Sequence, residues 1–134
     1  ERSAGVVEDD LRPLRVTWSF AAREETLAPG AGGELMLEAL VGAPISLQLD
    51  PALAGPPATQ ANARERRVFW GRQRVGAALR PLPAGSHLDP QTGVFSWLPG
   101  PGFAGVFSLE FFQRVDSVTI LRRRVAVRVV VPGS

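Results

Sequence analysis

The chain has 134 residues, of which 45% are hydrophobic, with 15 basic residues, 13 carboxylates and no cysteine. This length suits one domain with a core of its own, and the missing cysteines exclude disulfides, thiol catalysis and cysteine-bound zinc. The net charge is only +2, and no apolar run approaches the roughly 20 residues of a membrane span. We therefore expect neither nucleic-acid binding nor membrane insertion.

Residues 1–13 are polar and acidic without a clear period, and we interpret them as an N-terminal arm or linker. We interpret residues 14–132 as one domain.

Residues 1–38 carry four arginines and eight carboxylates, a net charge of −4. Because the chain begins at Glu1 rather than Met, we interpret it as a processed or excised segment from which any signal peptide is already gone.

Alternation of apolar and polar residues predicts most of the strands. The clearest segments are 14–20, 34–41, 45–49, 94–97, 105–112 and 118–131, with shorter candidates at 67–70 and 74–80. Residues 21–33 are predicted to be a connection. About seven strands with short connections and no strongly amphipathic helix predict an all-β fold, an Ig-like β-sandwich in which Trp18 and Trp97 are core residues.

Arg123 breaks the alternation of the last predicted strand. It falls on the same face as Val125 and Val127, where an apolar residue is expected. This position predicts either a β-bulge at Arg123 or a place beyond the edge of the core.

Residues 50–74 are the least regular part of the chain, and we interpret them as a loop insertion into the sandwich. Pro51, Pro56 and Pro57 favour a loop. Residues 58–67 have a composition that would allow one or two helical turns.

The segment 64–80 is rich in arginine, with six arginines against one glutamate and a net charge of +5. Exposed aromatic rings beside arginine can stack on sugars or on partner side chains, so this segment is a candidate ligand-binding patch. One alternative is a solvated loop that pairs with the acidic N-terminal part, and another is that an aromatic ring packs into the core. The candidate binding residues are Arg64, Arg66, Arg67, Phe69, Trp70, Arg72 and Arg74.

The stretch LPAGSHLDPQTGVFSWLPGPGFAGVF, residues 82–107, places turn-forming residues between β-forming ones. Pro83 fixes its φ angle and Gly85 permits a positive one, which predicts a turn. Asp89 can accept backbone N–H groups in an Asx turn that Pro90 starts and Gly93 closes. None of these residues needs a catalytic role to explain its presence.

The same stretch carries a resemblance to a known family. LPAGSHLDPQTGVFSWLP followed by AGVFSLEFF resembles the bacterial putative-Ig and cadherin-like (dystroglycan-type) modules, over about residues 75–131. The resemblance implies an extracellular or cell-envelope Ig-like β-sandwich, often one of several tandem modules that serve as spacers, adhesins or accessories beside catalytic domains. The chain has FQRVDS where the family usually has an acidic A-T-D-G stretch, which weakens a calcium assignment, and its approach to LPAG is lengthened by the Arg-rich segment.

The side chains that usually carry catalysis or hold metals are sparse. His87 is the only histidine, and Asp50, Asp89 and Asp116 stand apart from one another in predicted turns, although metals need clustered ligands. No GxSxG nucleophile motif and no Gly-rich phosphate loop occurs. We expect no enzymatic activity, no cofactor and no metal site.

The sequence favours a non-enzymatic structural or adhesive module of a secreted or cell-surface bacterial protein, next to neighbouring domains or subunits. One alternative is a carbohydrate- or envelope-binding accessory module that uses the segment 64–80. Another is a subunit of a fibre or larger extracellular assembly, in which the N-terminal arm pairs with a neighbour's sheet edge. The expected partner is a protein or a polysaccharide at the cell surface.

Overall fold

The computed structural model describes residues 6–19, 22–50 and 68–132. Within these ranges the fold is all-β, with eleven strands in two sheets. The strands are β1 (Val6–Asp9), β2 (Leu14–Trp18), β3 (Arg23–Leu27), β4 (Glu34–Leu40), β5 (Ile45–Gln48), β6 (Val68–Val75), β7 (Ala78–Arg80), β8 (Ser86–Leu88), β9 (Val94–Trp97), β10 (Gly105–Arg114) and β11 (Thr119–Val130). No helix among the described residues is long and apolar enough to cross a membrane.

The two sheets pack face to face around one core. The six-stranded sheet has the order β1-β11-β10-β6-β7 with β4 also paired to β11, and the five-stranded sheet has the order β3-β2-β5-β9-β8. Phe95 of β9 and Phe111 of β10 meet between the sheets with ring centroids 4.9 Å apart. The alternation that predicts the strands fills this core, and Trp18 and Trp97 are buried in it as predicted.

Two strands share one edge of β11. β1 runs parallel to residues 119–122 and β4 runs parallel to residues 124–130, so Arg123 lies at the gap between them. At this gap the chain leaves the six-stranded sheet after β1 and crosses to β2 of the other sheet. The crossing brings backbone and the polar side chains of Asp10, Asp50 and Arg123 into the interior.

The eleven strands correct the prediction of about seven. β3 lies in the segment predicted as a connection, and β1 lies in the segment predicted as an arm. Both have almost entirely exposed side chains, because they are edge strands held by backbone pairing to β2 and β11 rather than by burial. An edge strand with exposed side chains therefore shows no apolar alternation in its sequence. The three-residue strands β7 and β8 are too short to show a period.

The second correction concerns residues 68–74, which the sequence assigns to a loop insertion and which also overlap the strand candidates at 67–70 and 74–80. They belong to β6, which pairs with β10 without interruption from Val68 to Arg74. Gly71 interrupts the sequence pattern, but a Cβ at this position would lie 2.9 Å from the Phe111 ring. Glycine thus lets β6 pass close to that core ring. Residues 51–67 of the predicted insertion lie outside the described residues.

Candidate functional site

The segment 82–107 builds the turns that the sequence predicts. Asp89 accepts the backbone N–H groups of Gln91 and Thr92 at 2.9 and 3.1 Å, and these hydrogen bonds lower the pKa of its carboxyl. Gly85 and Gly93 adopt φ angles of +85° and +73°. The predicted turn roles of Asp89, Gly85 and Gly93 are confirmed.

The seven candidate binding residues fall into three groups. The ones outside the described residues are Arg64, Arg66 and Arg67. Phe69 is only 2% exposed and belongs to the core, so its ring is not available to a ligand on the surface. Trp70, Arg72 and Arg74 lie on the opposite side of β6, on the outer face of the six-stranded sheet.

Trp70 and Phe112 form an aromatic pair on this outer face. They are directly opposite in the pairing of β6 with β10, and their rings stack with centroids 5.5 Å apart and an interplanar angle of 11°. The guanidinium of Arg72 lies 5.0 Å from the Phe112 centroid, and that of Arg114 lies 6.0 Å from the Trp70 centroid. Trp70 remains 37% exposed, so the pair presents an aromatic edge flanked by positive charge.

Glu110 joins the two arginines of β6. Arg72 Nε donates to Glu110 Oε1 at 2.8 Å, and Arg74 Nη2 donates to Glu110 Oε2 at 3.3 Å. Burial by itself would raise the pKa of Glu110, but the two guanidiniums outweigh it and lower that pKa. One carboxylate thus compensates two arginines, which leaves an excess positive charge on this part of the sheet.

A polar groove of about 150 Å³ lies beside this ion-pair cluster, lined by Glu34, Arg74, Ser108, Leu109, Glu110 and Arg124. Its position follows from the register. Ser108 pairs with Ala126 on one side and with Arg74 on the other. Two small outward side chains therefore lie side by side, surrounded by long ones, and leave a depression in the sheet surface.

Arg124 forms the wall of the groove on the β11 side. Its Nη2 donates to the carbonyl of Gly32, and a Cβ at Gly33 would lie 2.8 Å from the same Nη2 atom. Its Nε–H is enclosed without an acceptor among the described residues. No described carboxylate lies within ion-pair distance of this guanidinium, although Glu34 and Glu110 occupy the positions on either side of it in the sheet.

A second polar cluster lies at the gap where the chain crosses between sheets, with Asp10, Asp50 and Arg123 buried and the side chain of Arg12 42% exposed. Arg12 makes a two-pronged contact with Asp10 at 2.9 and 2.8 Å and reaches Asp50 at 3.3 Å. Arg123 Nη2 lies 3.2 Å from Asp10 Oδ2. Gln113 donates to the other oxygen of Asp50 at 2.6 Å. Among the described residues, two carboxylates and two guanidiniums balance each other in this cluster.

Arg123 is thus neither at a bulge nor beyond the core, which corrects both alternatives for this residue. Its pairing with Phe111 is regular, and its side chain is 5% exposed. It donates to the carbonyls of Leu49 and Arg12, each at 2.7 Å. These contacts satisfy backbone oxygens where the chain crosses, which gives a physical reason for a charged residue on an apolar face.

Opposing effects set the pKa values in this cluster. Burial favours the neutral acid at Asp10, but the hydrogen bond from Arg12 and the charge of Arg123 outweigh it and lower the Asp10 pKa. Burial lowers the pKa of Arg123 to about 10, with Asp10 opposing the shift. Both groups are therefore charged at neutral pH.

Sequence reasoning did not identify Ser108, Glu110, Phe112, Arg114 and Arg124 as parts of a surface site. Alternation along β10 and β11 places all five on the outward face, which was the available signal. Only the strand register shows that they lie beside Trp70, Arg72 and Arg74.

Comparisons with known proteins add little to this geometry. No family model and no curated protein matches the chain. Among solved structures, the chain is similar to a "putative alpha-galactosidase" from Bacteroides fragilis, with 12% identity and a TM-score of 0.46 over 93% of this chain and 19% of that one. It is also similar to a nucleoside hydrolase-related hypothetical protein from Saccharophagus degradans, associated with carbohydrate metabolism, with 12% identity and a TM-score of 0.47 over 90% and 26% of the two chains. The chain spans about a fifth and a quarter of the lengths of these proteins.

Proposed function

We propose that this chain is a non-enzymatic, Ig-like module of a secreted or cell-surface bacterial protein, and that it acts as an adhesive module through the outer face of its six-stranded sheet. The observation that carries the proposal is the exposed Trp70 stacked on Phe112, with the guanidiniums of Arg72 and Arg114 beside the two rings. Aromatic and arginine side chains are the residue types most enriched where proteins bind partners.

The engagement of the carboxylates supports a structural rather than a catalytic role. Asp89 and Asp116 each accept two backbone N–H groups in turns. Asp10 and Glu110 are held by arginines, and Asp50 is held by Arg12 and Gln113. All five of these carboxylates thus have hydrogen-bond or ion-pair partners that hold the fold. A general acid would instead need a raised pKa.

The two outer faces differ in a way that favours the six-stranded sheet as the binding surface. The outward residues of β5 and β9 on the other sheet are uncharged and not aromatic, namely Ser46, Gln48, Val94 and Ser96. The outward residues of β6, β10 and β11 include two aromatic residues and six arginines. An assembly through the N-terminal arm receives less support, because Val6–Asp9 already pairs with β11 of its own sheet.

The test is retention of the purified chain on insoluble polysaccharides and on bacterial envelope fractions, at low and moderate salt. A variant that combines Trp70→Ala with Arg114→Gln leaves both partners of Glu110 in place, so its fold should be preserved. The matched control is Arg15→Gln, an exposed arginine on the outer face of the other sheet. We expect the wild type and the control to be retained and the double variant to be lost. Equal retention of all three would exclude this face, and retention of none would exclude the adhesive function.

A further inference from the structure

We propose that the groove between Arg74 and Arg124 binds an acidic sugar of a polysaccharide, with the sugar carboxylate held by these two guanidiniums and a further sugar of the same chain against Trp70. This inference rests on the proposed adhesive function and specifies its ligand. It uses Arg124, Ser108 and Glu34, which no earlier step assigned to binding.

The size of the groove suits one sugar ring. Its volume of about 150 Å³ corresponds to roughly five water molecules at about 30 Å³ each. The small side chain of Ser108 leaves this space between the longer side chains of Arg74, Glu110 and Arg124, so it is a feature of the paired strands rather than of a loop. Because the floor consists of paired strands, the site is formed before the ligand arrives.

The charges in the groove favour a carboxylate. Arg124 has no described carboxylate within ion-pair distance, and Arg74 shares Glu110 with Arg72. A guanidinium N–H binds a carboxylate through a charge-assisted hydrogen bond, which is stronger than one to a neutral hydroxyl. A carboxylate between the two arginines would also offset the one positive charge by which Arg72, Arg74 and Arg124 exceed the carboxylates of Glu34 and Glu110.

The remaining lining groups favour a sugar over an acidic peptide or a nucleic acid. The Ser108 hydroxyl and the carboxylates of Glu34 and Glu110 add acceptors to a groove that already contains donors. Sugar hydroxyls both donate and accept, and so can use such a mixed lining. A phosphate group or an acidic side chain offers only acceptors, and so would leave these carboxylates without donors.

The distance from the groove to Trp70 favours a polymer over a single sugar. Trp70 and Arg74 lie four residues apart on the same face of β6, which is about 13 Å at the usual strand rise. A single ring cannot occupy both places. A polysaccharide that runs along the strands could place one acidic sugar in the groove and stack another unit on the exposed part of Trp70.

The experiment measures the affinity of the full chain for three soluble acidic polysaccharides, namely polygalacturonate, polymannuronate and hyaluronan, by calorimetry at low and moderate salt. Fully methyl-esterified polygalacturonate tests the carboxylate, because it keeps the sugar and removes the charge. Polyglutamate tests whether any polyanion suffices. The groove variants are Arg124→Gln, which removes the charge, and Ser108→Val, which fills the floor.

The matched control variant is Arg128→Gln. Arg128 lies on the same face of the same strand as Arg124 and is paired with Glu38 at 4.0 Å, but it does not line the groove. We expect Arg124→Gln to weaken binding at least about tenfold, as for the loss of a charged hydrogen bond, and Arg128→Gln to leave it nearly unchanged. Thermal unfolding of each variant separates a lost ligand contact from a lost fold.

The outcomes separate the two proposals. Binding of an acidic polysaccharide that is lost on esterification and in Arg124→Gln supports the inference. Equal binding of the esterified polymer, equal binding of polyglutamate, or equal effects of Arg124→Gln and Arg128→Gln would overturn it. If the chain is retained on envelope fractions but binds none of the three acidic polymers, the inference is wrong and the adhesive function stands. If it is retained on nothing, both are wrong.

Discussion

Arg123 Nη2 and Asp10 Oδ2 lie 3.2 Å apart inside the protein, with side chains that are 5% and 3% exposed. The two residues are far apart in the sequence and meet where the chain crosses from one sheet to the other. Their contact connects the end of β1 to the middle of β11. It therefore fixes the N-terminal segment to the sandwich.

Replacing Asp10 by Asn should destabilise the protein by about 3 kcal/mol, because a buried guanidinium then loses its charged partner. Urea unfolding measures the change. The control is Glu24→Gln, which breaks the exposed contact of Glu24 with Arg15 at 3.6 Å and should cost less than about 1 kcal/mol. Equal losses in the two variants would show that burial of the Asp10 contact contributes nothing.

Stability should fall as the pH is lowered through the carboxylate range. The pKa values of Asp10, Asp89, Glu110 and Asp116 are all lowered in the folded protein, so the unfolded chain binds more protons as the pH falls. The stabilisation is complete above the unfolded pKa values and is lost progressively below about pH 5. Thermal unfolding between pH 8 and pH 2 measures this, and Asp10→Asn should show a weaker dependence. A melting temperature that stays constant down to pH 3 would contradict the prediction.

Gly93 tests how closely the turns of residues 82–107 pack on the core, and Gly76 is its control. Gly93 and Gly76 have similar φ angles of +73° and +60°, but a Cβ at Gly93 would lie 2.6 Å from the Phe69 ring, whereas one at Gly76 meets nothing. Gly76→Ala should cost about 1–2 kcal/mol for the backbone alone, and Gly93→Ala should cost about 3–5 kcal/mol with the clash added. Chemical denaturation compares them, and similar losses would mean that Phe69 moves aside freely.

Replacing Phe69 on β6 should mainly reduce stability, whereas replacing the neighbouring Trp70 should mainly reduce binding. Phe69→Ala should cost about 3–5 kcal/mol, because it leaves a cavity in the core. Trp70→Ala should cost only about 1 kcal/mol through the lost stacking on Phe112, while it removes retention on the polysaccharide. Denaturant midpoints measure the predicted changes in stability, and binding assays on the same preparations measure the predicted changes in binding. A large loss of stability in Trp70→Ala would make Trp70 a structural residue.

Part of the proposed binding face follows from the sequence. Trp70, Arg72 and Arg74 were predicted from arginine and aromatic residues close together in the chain, which is local information. Phe69 was included with them, and the structure buries it, because neighbouring residues in a strand point to opposite faces and nothing in the segment itself shows which face is inward. The residues that complete the face come from β10 and β11, and their proximity depends on register.

The sequence by itself determined the all-β class, the core strands and the turns around Asp89, Gly85 and Gly93, because alternation and turn chemistry act between residues close in the chain. Tertiary structure decided the edge strands β1 and β3, the stacking of Trp70 on Phe112 and the interior position of Arg123. Each of these depends on which strands become neighbours. Strand pairing joins residues that are distant in sequence, so the free energy of pairing cannot be predicted from any single segment.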